Sequence, residues 1–462
     1  MDSDTIVTEA YSERHRFFTM DAGSAAAVKK QKERTTKKAK QEAIVNSVKM
    51  LVLVPKRTTF VFTLTCSDDD SKDFYSWLNK GHNNTDFLVE KGLVDPAKQK
   101  STHRFIKFSK RKEEQHAKCN QANILMAFLA ARQLGMKDYG VFDGVLRFTY
   151  FDNFLSCLRN KVELCDLISA HFNLIVLGPD SDIRKAGKEG NAAVQQIHQF
   201  CGYDLLRARV FTYPPLSFAY FFEDKLKRDE VFETLKLPFV YINVTDCAAE
   251  SAEIAFNELK KKYPDNEHVL KIPECGIVAK TIDNHCALGV YILQKSEGTG
   301  SCWKITCDNR HPFVPPQTRM RFEPFMTELK QSETRIYAVL IPGQKVSLHY
   351  KVKTRFSPEG LTLDQVAVLC GNTSRDTAER KLIKDAYDLF CTTFPSSIDA
   401  VTHLTLRFDV FYSSGKLYLN EVDVIPGAYL FLDDYVGTRL YLTKLSDTMA
   451  TYIRNKWALW PA

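Results

Sequence analysis

The stretch from Leu404 to Gly427, LTLRFDVFYSSGKLYLNEVDVIPG, constrains this chain more than any other. Two short apolar runs flank Ser413-Ser414-Gly415, the pattern of a β-hairpin. Residues two apart on a strand share a face, so Glu421 and Asp423 point the same way. Pairing around Ser414-Gly415 brings Asp409 of the first strand beside them. Three carboxylates converging from paired strands repel one another unless a hard cation neutralises them. Mg²⁺ is the usual cation, held by a few carboxylates together with phosphate oxygens. The hairpin therefore points to nucleotide chemistry.

Composition narrows the setting. At 462 residues and 44% apolar content the chain has room for two or three domains with ordinary cores. No apolar run is long enough to span a bilayer, and MDSDTIVTEAYSERHRFF lacks the charged start and apolar stretch of a secretory leader. The expected location is the cytoplasm, with no membrane partner. The twelve cysteines form no CxxC pair, which argues against structural zinc and for small buried hydrophobes. The net charge of +7 is concentrated where Lys29, Lys30, Lys32, Arg34, Lys37, Lys38 and Lys40 face Glu33 alone. That run reads as a solvated basic arm, and the remainder has no basic excess calling for nucleic acid. A homodimer is left open.

The arm covers residues 1–45, with a helix expected over Ala25 to Val45. Residues 46–205 read as an α/β domain on the substrate side, with strands at Val48 to Pro55, Thr59 to Thr65 and His171 to Leu177 and a helix over Asn120 to Leu134. Residues 206–320 carry helices over Glu223 to Lys236 and Glu250 to Tyr263, and strands at Phe239 to Val244, Gly276 to Lys280 and Ala287 to Leu293. Residues 321–462 follow, opening on the strand Arg319 to Met326 that spans the boundary. They hold a hairpin around Pro342-Gly343, a helix over Arg375 to Phe394, the acidic hairpin and a helix from Thr438 to Lys456. The class is α/β, with α+β character in the C-terminal half.

From Pro214 to Lys456 the motif order resembles the ATP-grasp superfamily. The residues that carry the resemblance are Asp224-Lys225 on a helix, Val278-Ala279-Lys280 ending a strand, and Glu323-Pro324-Phe325 at a hinge. Arg407-Phe408-Asp409 and Glu421-Val422-Asp423 with Pro426-Gly427 complete the series. The resemblance implies two subdomains clasping ATP, with Mg²⁺ or Mn²⁺ bound by Asp409, Glu421 and Asp423. Lys225 and Lys280 would grip phosphates; Lys280 stands out by itself, because a lysine ending an apolar strand needs an anionic partner. Glu323 and Phe325 would form the adenine hinge, Glu333 would contact the ribose, and Arg335 a phosphate or the substrate.

The C-terminal hairpin resembles the D-alanine–D-alanine ligase branch most. That branch implies an ATP-dependent carboxylate–amine or carboxylate–thiol ligase working through an acyl phosphate. Arg407 and the Gly427 N–H would hold the developing oxyanion. Its substrates would be small molecules bearing a carboxylate and an amine. An inositol-polyphosphate-type kinase is the alternative, with Asp283-Asn284-His285 similar to that branch's loop and Lys351, Lys353 and Arg355 offering a basic pocket. A non-catalytic ATP-binding protein is the third reading. The family's last metal ligand is usually Asn where this chain has Asp423, and TIDNHC stands where a glycine-rich phosphate loop is common.

Overall fold

The computed structural model describes residues 48–54, 59–60, 85–96, 104–105, 122–134, 146–177, 188–216, 224–244, 248–282, 290–296, 302–308, 318–326, 333–340, 346–356, 363–368, 374–393, 404–423 and 445–455, with isolated residues between them. The fold is mixed α/β: a four-stranded parallel sheet, a two-stranded parallel pairing of Thr59–Phe60 with Arg104–Phe105, and two five-stranded antiparallel sheets.

The first sheet is built from β1 (Met50–Val54), β2 (Leu146–Tyr150), β3 (Leu174–Val176) and β4 (Phe211–Tyr213), in spatial order β2-β1-β3-β4. Every pairing is parallel. A parallel strand covered on both faces reads as an unbroken apolar run, which is why MLVLV is buried at every position. Met50, Val52 and Val54 pack towards helix α1 (Ala122–Gln133), whereas Leu51 and Leu53 meet α2 (Lys161–His171) and α3 (Lys188–Gln199). The strand expected from His171 is shorter, because His171 closes α2 and only Leu174–Val176 pairs. Strand β2 and helices α2 and α3 are additions to the expected elements.

The second sheet belongs to the middle of the chain. Helix α4 (Lys225–Val231) leads into β5 (Val240–Val244), then helix α5 (Ala248–Lys262). Strands β6 (Ile277–Thr281), β7 (Val290–Lys295), β8 (Trp303–Asp308) and β9 (Thr318–Pro324) complete an antiparallel sheet of order β8-β7-β6-β9-β5. Ala252, Ala255 and Leu259 of α5 cover one face of it at helical spacing.

The third sheet contains β10 (Glu333–Leu340), β11 (Ser347–Phe356), β12 (Leu363–Val368), β13 (Leu404–Ser413) and β14 (Lys416–Asp423), in order β12-β11-β10-β13-β14. Helix α6 (Ser374–Thr393) lays Leu382, Ile383, Ala386 and Phe390 against Ile336, Ala338, Phe408 and Val410. The other face of that sheet presents Arg335, Tyr337, Arg407 and Asp409 by strand alternation. Tyr337 and Val352 on it join the first sheet's core, together with Leu445, Met449 and Ile453 of helix α7 (residues 445–455). Tyr452 fixes α7 there by donating to the Thr212 carbonyl at 3.2 Å.

Strand β4 lies beyond residue 205 yet completes the first sheet; β9 carries the second sheet past residue 320; and α7 returns to the first sheet. Of the expected arm helix, only Gln31 and Thr35 are described, both helical. Among the described residues no helix is long and apolar enough to cross a membrane.

Phe408 is buried at the centre of the β13–α6 interface. Phe408→Ala is expected to destabilise the third sheet by about 3–5 kcal/mol, through lost transfer energy and a residual cavity. Hydrogen exchange would show faster opening in β10, β13 and β14, with the β1–β4 amides unchanged.

Candidate functional site

The hairpin of β13 and β14 turns through Ser414 and Gly415, both at positive φ (49° and 76°), as a two-residue hairpin turn requires. Its register sets Asp409 opposite Glu421 and Arg407 opposite Asp423. The next pair is Val410 with Leu419, so Asn420 is an extra residue on β14, a bulge. The bulge changes which side chains reach the cleft. On β14, Tyr418 faces the cleft side, while Leu417 and Leu419 pack towards α6. Unbroken alternation would next turn Glu421 and Asp423 towards α6. Instead Val422 joins that core, and Glu421 and Asp423 turn to the cleft beside Asp409.

The three acids meet one guanidinium. Arg407 Nε lies 2.9 Å from Asp409 Oδ1, and its two terminal nitrogens lie 3.7 Å from Glu421 Oε2 and 3.5 Å from Asp423 Oδ2. Arg335 Nε stands 3.6 Å from Asp409 Oδ2 and 3.4 Å from Glu333 Oε1. Burial pushes the Asp409 carboxyl up to about 7, against the opposing pull of Arg407 and Arg335. The acids around Arg407 hold its own proton more firmly still, despite burial. Carboxylate oxygens are the donors that Mg²⁺ and Mn²⁺ prefer, so the donor chemistry fits a hard divalent ion. As they stand, the three acids close on Arg407, and among the described residues no group of three acids, histidines or cysteines is gathered closely enough to hold a metal.

Helix α4 and strands β6 and β9 form the opposite wall. Asp224 caps α4, its carboxylate accepting from the Lys227 N–H at 3.2 Å, and this places Lys225 in the first turn. Burial pulls the Lys225 ammonium down to about 8 even with Glu421 near it. One helical turn on, Arg228 donates to the Val422 carbonyl at 2.9 Å and reaches Glu421 Oε1 at 3.4 Å. Lys280 pairs with Glu323 and reaches Asn420 Oδ1 at 3.4 Å. Burial alone would raise the Glu323 carboxyl, but Arg321 and Lys280 hold it below the usual range. Behind them Asp229 binds Arg321 at 2.8 Å, Lys236 at 2.7 Å and the Tyr241 hydroxyl at 2.6 Å.

Between the walls lies a narrow slot. Leu237, Val278, Pro324, Met326, Phe411 and Leu419 form its apolar sides, while Arg321, Glu323 and Asn420 supply its polar rim. The hinge above it is pinned, because the Phe325 N–H donates to the Gly276 carbonyl at 3.0 Å. Gly276 has φ +100°, and a Cβ there would stand 2.6 Å from the Leu293 carbonyl oxygen. The Phe325 N–H is thus taken by a backbone bond, and among the described residues no hydrogen bond engages the Met326 N–H. Glu323 lines the slot with a carboxylate already held by two cations. Glu333, expected at the ribose, is buried, accepts from Asn420 Nδ2 at 2.7 Å and faces Arg335.

Lys351 corrects the basic-pocket expectation. It lies on the α6 side of the sheet, paired with Asp376 and, at 2.8 Å, with Glu379. Lys353 shares its strand parity, and the Arg355 side chain, His285 and Gly427 lie outside the described residues. Sequence reasoning missed Arg228, Arg321, Lys236 and Asn420, and the apolar walls Leu237, Phe411 and Leu419. Arg228 carried a signal, since it follows Lys225 at helical i,i+3 spacing. Asn420 carried another: the apolar spacing on β14 slips from two residues (Leu417, Leu419) to three (Leu419, Val422).

No family model matches the chain, and no curated protein matches it. Among solved structures, a D-cycloserine synthetase is 11% identical, covering 66% of this chain and 90% of its own, with a TM-score of 0.42. The D-alanine–D-alanine ligase of Bacillus anthracis is 13% identical over 72% of this chain and 94% of its own (TM-score 0.37). The N5-carboxyaminoimidazole ribonucleotide synthetase of Thermus thermophilus is 14% identical over 66% and 69% (TM-score 0.37). Likeness at this level assigns the chain to no family.

Asp229→Asn is expected to lower stability by about 3–5 kcal/mol at pH 7, because it leaves buried cations under-compensated. The three cations around Asp229 hold its carboxyl far below the ordinary range. Such a depressed group contributes fully above the unfolded value near 4 and loses its contribution as pH falls towards the folded value. Denaturation midpoints of wild type and variant should therefore differ most at neutral pH and converge below about pH 4.

Proposed function

We propose that the second and third sheets form an ATP-grasp module. In this reading the protein is an ATP- and divalent-cation-dependent carboxylate–amine (or carboxylate–thiol) ligase. The observation that carries it is the hairpin register, which sets Arg407, Asp409, Glu421 and Asp423 on one cleft face, opposite Lys225 and Lys280. The slot would take a flat purine only after its walls part, because the space now open in it is about 10 Å³, room for roughly one water. Its apolar sides would take the ring faces, and the Met326 N–H can donate to a ring nitrogen.

Lys225 and Lys280 would then follow the phosphates. Both are desolvated or paired only with protein groups, and a triphosphate would replace those partners. A divalent ion on Asp409, Glu421 and Asp423 would supply charge neutralisation at the β- and γ-phosphates. The substrate carboxylate attacks the γ-phosphorus, forming an acyl phosphate and releasing ADP. The amine then attacks the acyl carbon, and inorganic phosphate leaves with the bonding pair. Arg407, largely buried, would hold negative charge as it develops on the acyl oxygen. A phosphorylated-polyol kinase would need a basic acceptor pocket, and the commitment of Lys351 to Asp376 and Glu379 removes one of the cations it required.

ADP release should require a carboxylate, and hydroxylamine should intercept the acyl phosphate as a hydroxamate. An Asp409→Asn, Glu421→Gln double variant is expected to lose at least about 10³-fold in kcat, as removal of transition-state charge stabilisation does. Normal turnover by that variant, or ADP release with a hydroxyl acceptor and no hydroxamate, would defeat the ligase reading.

A further inference from the structure

Three of the guanidinium nitrogens of Arg407 address three different acids. Nε is 2.9 Å and one terminal nitrogen 3.2 Å from the Asp409 oxygens; that second nitrogen is also 3.7 Å from Glu421, and the third is 3.5 Å from Asp423. The side chain is only 9% exposed. A divalent ion held by these carboxylates needs oxygens at about 2.0–2.2 Å. A guanidinium has no lone pair to offer a metal, so it cannot join such a shell. The arginine and the ion therefore contend for the same oxygens.

The surrounding charges sharpen this contest. Glu333, Asp409, Glu421 and Asp423 form the acidic side; Arg335, Arg407, Arg228 and Lys225 stand against them. Among the described residues these four cations match the four carboxylates. A bare divalent ion would add two positive charges to a balanced, partly buried cluster and strip Arg407 of its anions. An arginine left without partners in such a place is strongly unfavourable. A cation arriving with nucleotide phosphates brings more negative than positive charge, and those phosphates give the displaced guanidinium a new partner.

We infer that Arg407 is a built-in counter-ion for Asp409, Glu421 and Asp423, which a divalent cation displaces only when nucleotide phosphates enter with it. This rests on the nucleotide reading above and adds an order to it: the protein holds its acids neutral without metal, and the cation is taken up as the metal–nucleotide complex. The same displacement frees Arg407 from the acids at the stage when a charge on the substrate must be met.

Mn²⁺ titration followed by electron paramagnetic resonance reads the contest directly, without turnover. Nucleotide-free wild type is expected to bind Mn²⁺ weakly, and saturating ADP to tighten it about tenfold or more. Arg407→Met should bind Mn²⁺ without nucleotide about tenfold or more tightly than wild type, and Mn²⁺ should raise its Tm more than that of wild type. Adding Asp409→Asn to Arg407→Met should abolish the gain, which ties the Mn²⁺ to these acids. If wild type without nucleotide binds Mn²⁺ as tightly as it does with ADP, or as tightly as Arg407→Met, the inference is overturned. Should Arg407→Met not fold, the wild-type comparison with and without ADP still decides. Absence of ADP binding at any Mn²⁺ concentration would instead remove the nucleotide reading, while the Arg407→Met comparison would continue to test the counter-ion.

Discussion

A β-strand shows alternate residues to alternate faces, and the whole cleft depends on one break in that rule. On β14, Leu419 packs against α6, so strict alternation would carry Glu421 and Asp423 into the same apolar layer. Two carboxylates there, against Leu382, Ile383 and Phe408, would meet no partner and no water. The extra residue Asn420 resets the phase, sending Val422 to the core and the acids to the cleft. Its own side chain is then free to span the walls, donating to Glu333 at 2.7 Å and accepting from Lys280 at 3.4 Å. One inserted residue thus creates the acidic face and ties it to the wall across from it.

How much of this could be read beforehand follows from the range of each interaction. The placing of Asp409 on the strand beside Glu421 and Asp423 was legible, because a turn marker sets the hairpin within a short segment. The pairs themselves were not, since counting back from the turn sets Asp409 opposite Asn420, and only the bulge moves it to Glu421. The ladder from Asp229 through Arg321 to Glu323 was not. Its first link joins residues 92 apart in sequence, and no local period encodes such a contact. Lys351 was misplaced for a different reason. It pairs across the ladder with Ile336, an α6-side residue, while its neighbour Val352 pairs with Arg335 on the cleft side. Strand parity counted from Arg335 would have turned Lys351 away from the cleft.

The first sheet contributes more to the cleft than domain order suggests. Helix α7 follows the hairpin in sequence yet packs with Met50, Val52 and Val54, and Tyr337 and Val352 of the third sheet enter that same core. The segment that ends the described chain therefore bridges the first sheet and the cleft face. The Tyr452 bond to Thr212 and the Arg454 bond to the Gln133 carbonyl at 2.6 Å make this a specific seat. Beyond Arg335 and Arg407, the cleft face is bounded by this shared core.

The seam between the second and third sheets combines two kinds of contact, and they respond differently to a ligand. Arg228 to the Val422 carbonyl and Lys236 to the Asn420 carbonyl, both at 2.9 Å, join charged side chains to hairpin backbone. No phosphate could take over those acceptors without unseating β14, so these bonds are not exchanged. Lys225 near Glu421 and Lys280 on Asn420 and Glu323 are side-chain contacts at the cleft itself. A polyanion entering there offers both lysines better partners than a distant acid or a 3.4 Å amide. On the proposed reading, binding is then an exchange of partners at the cleft while the Arg228 and Lys236 bonds hold β14 in place. The buried arginine and Asp229 pairs matter less for net stability, since desolvation offsets most of their attraction, than for keeping the seam in one geometry.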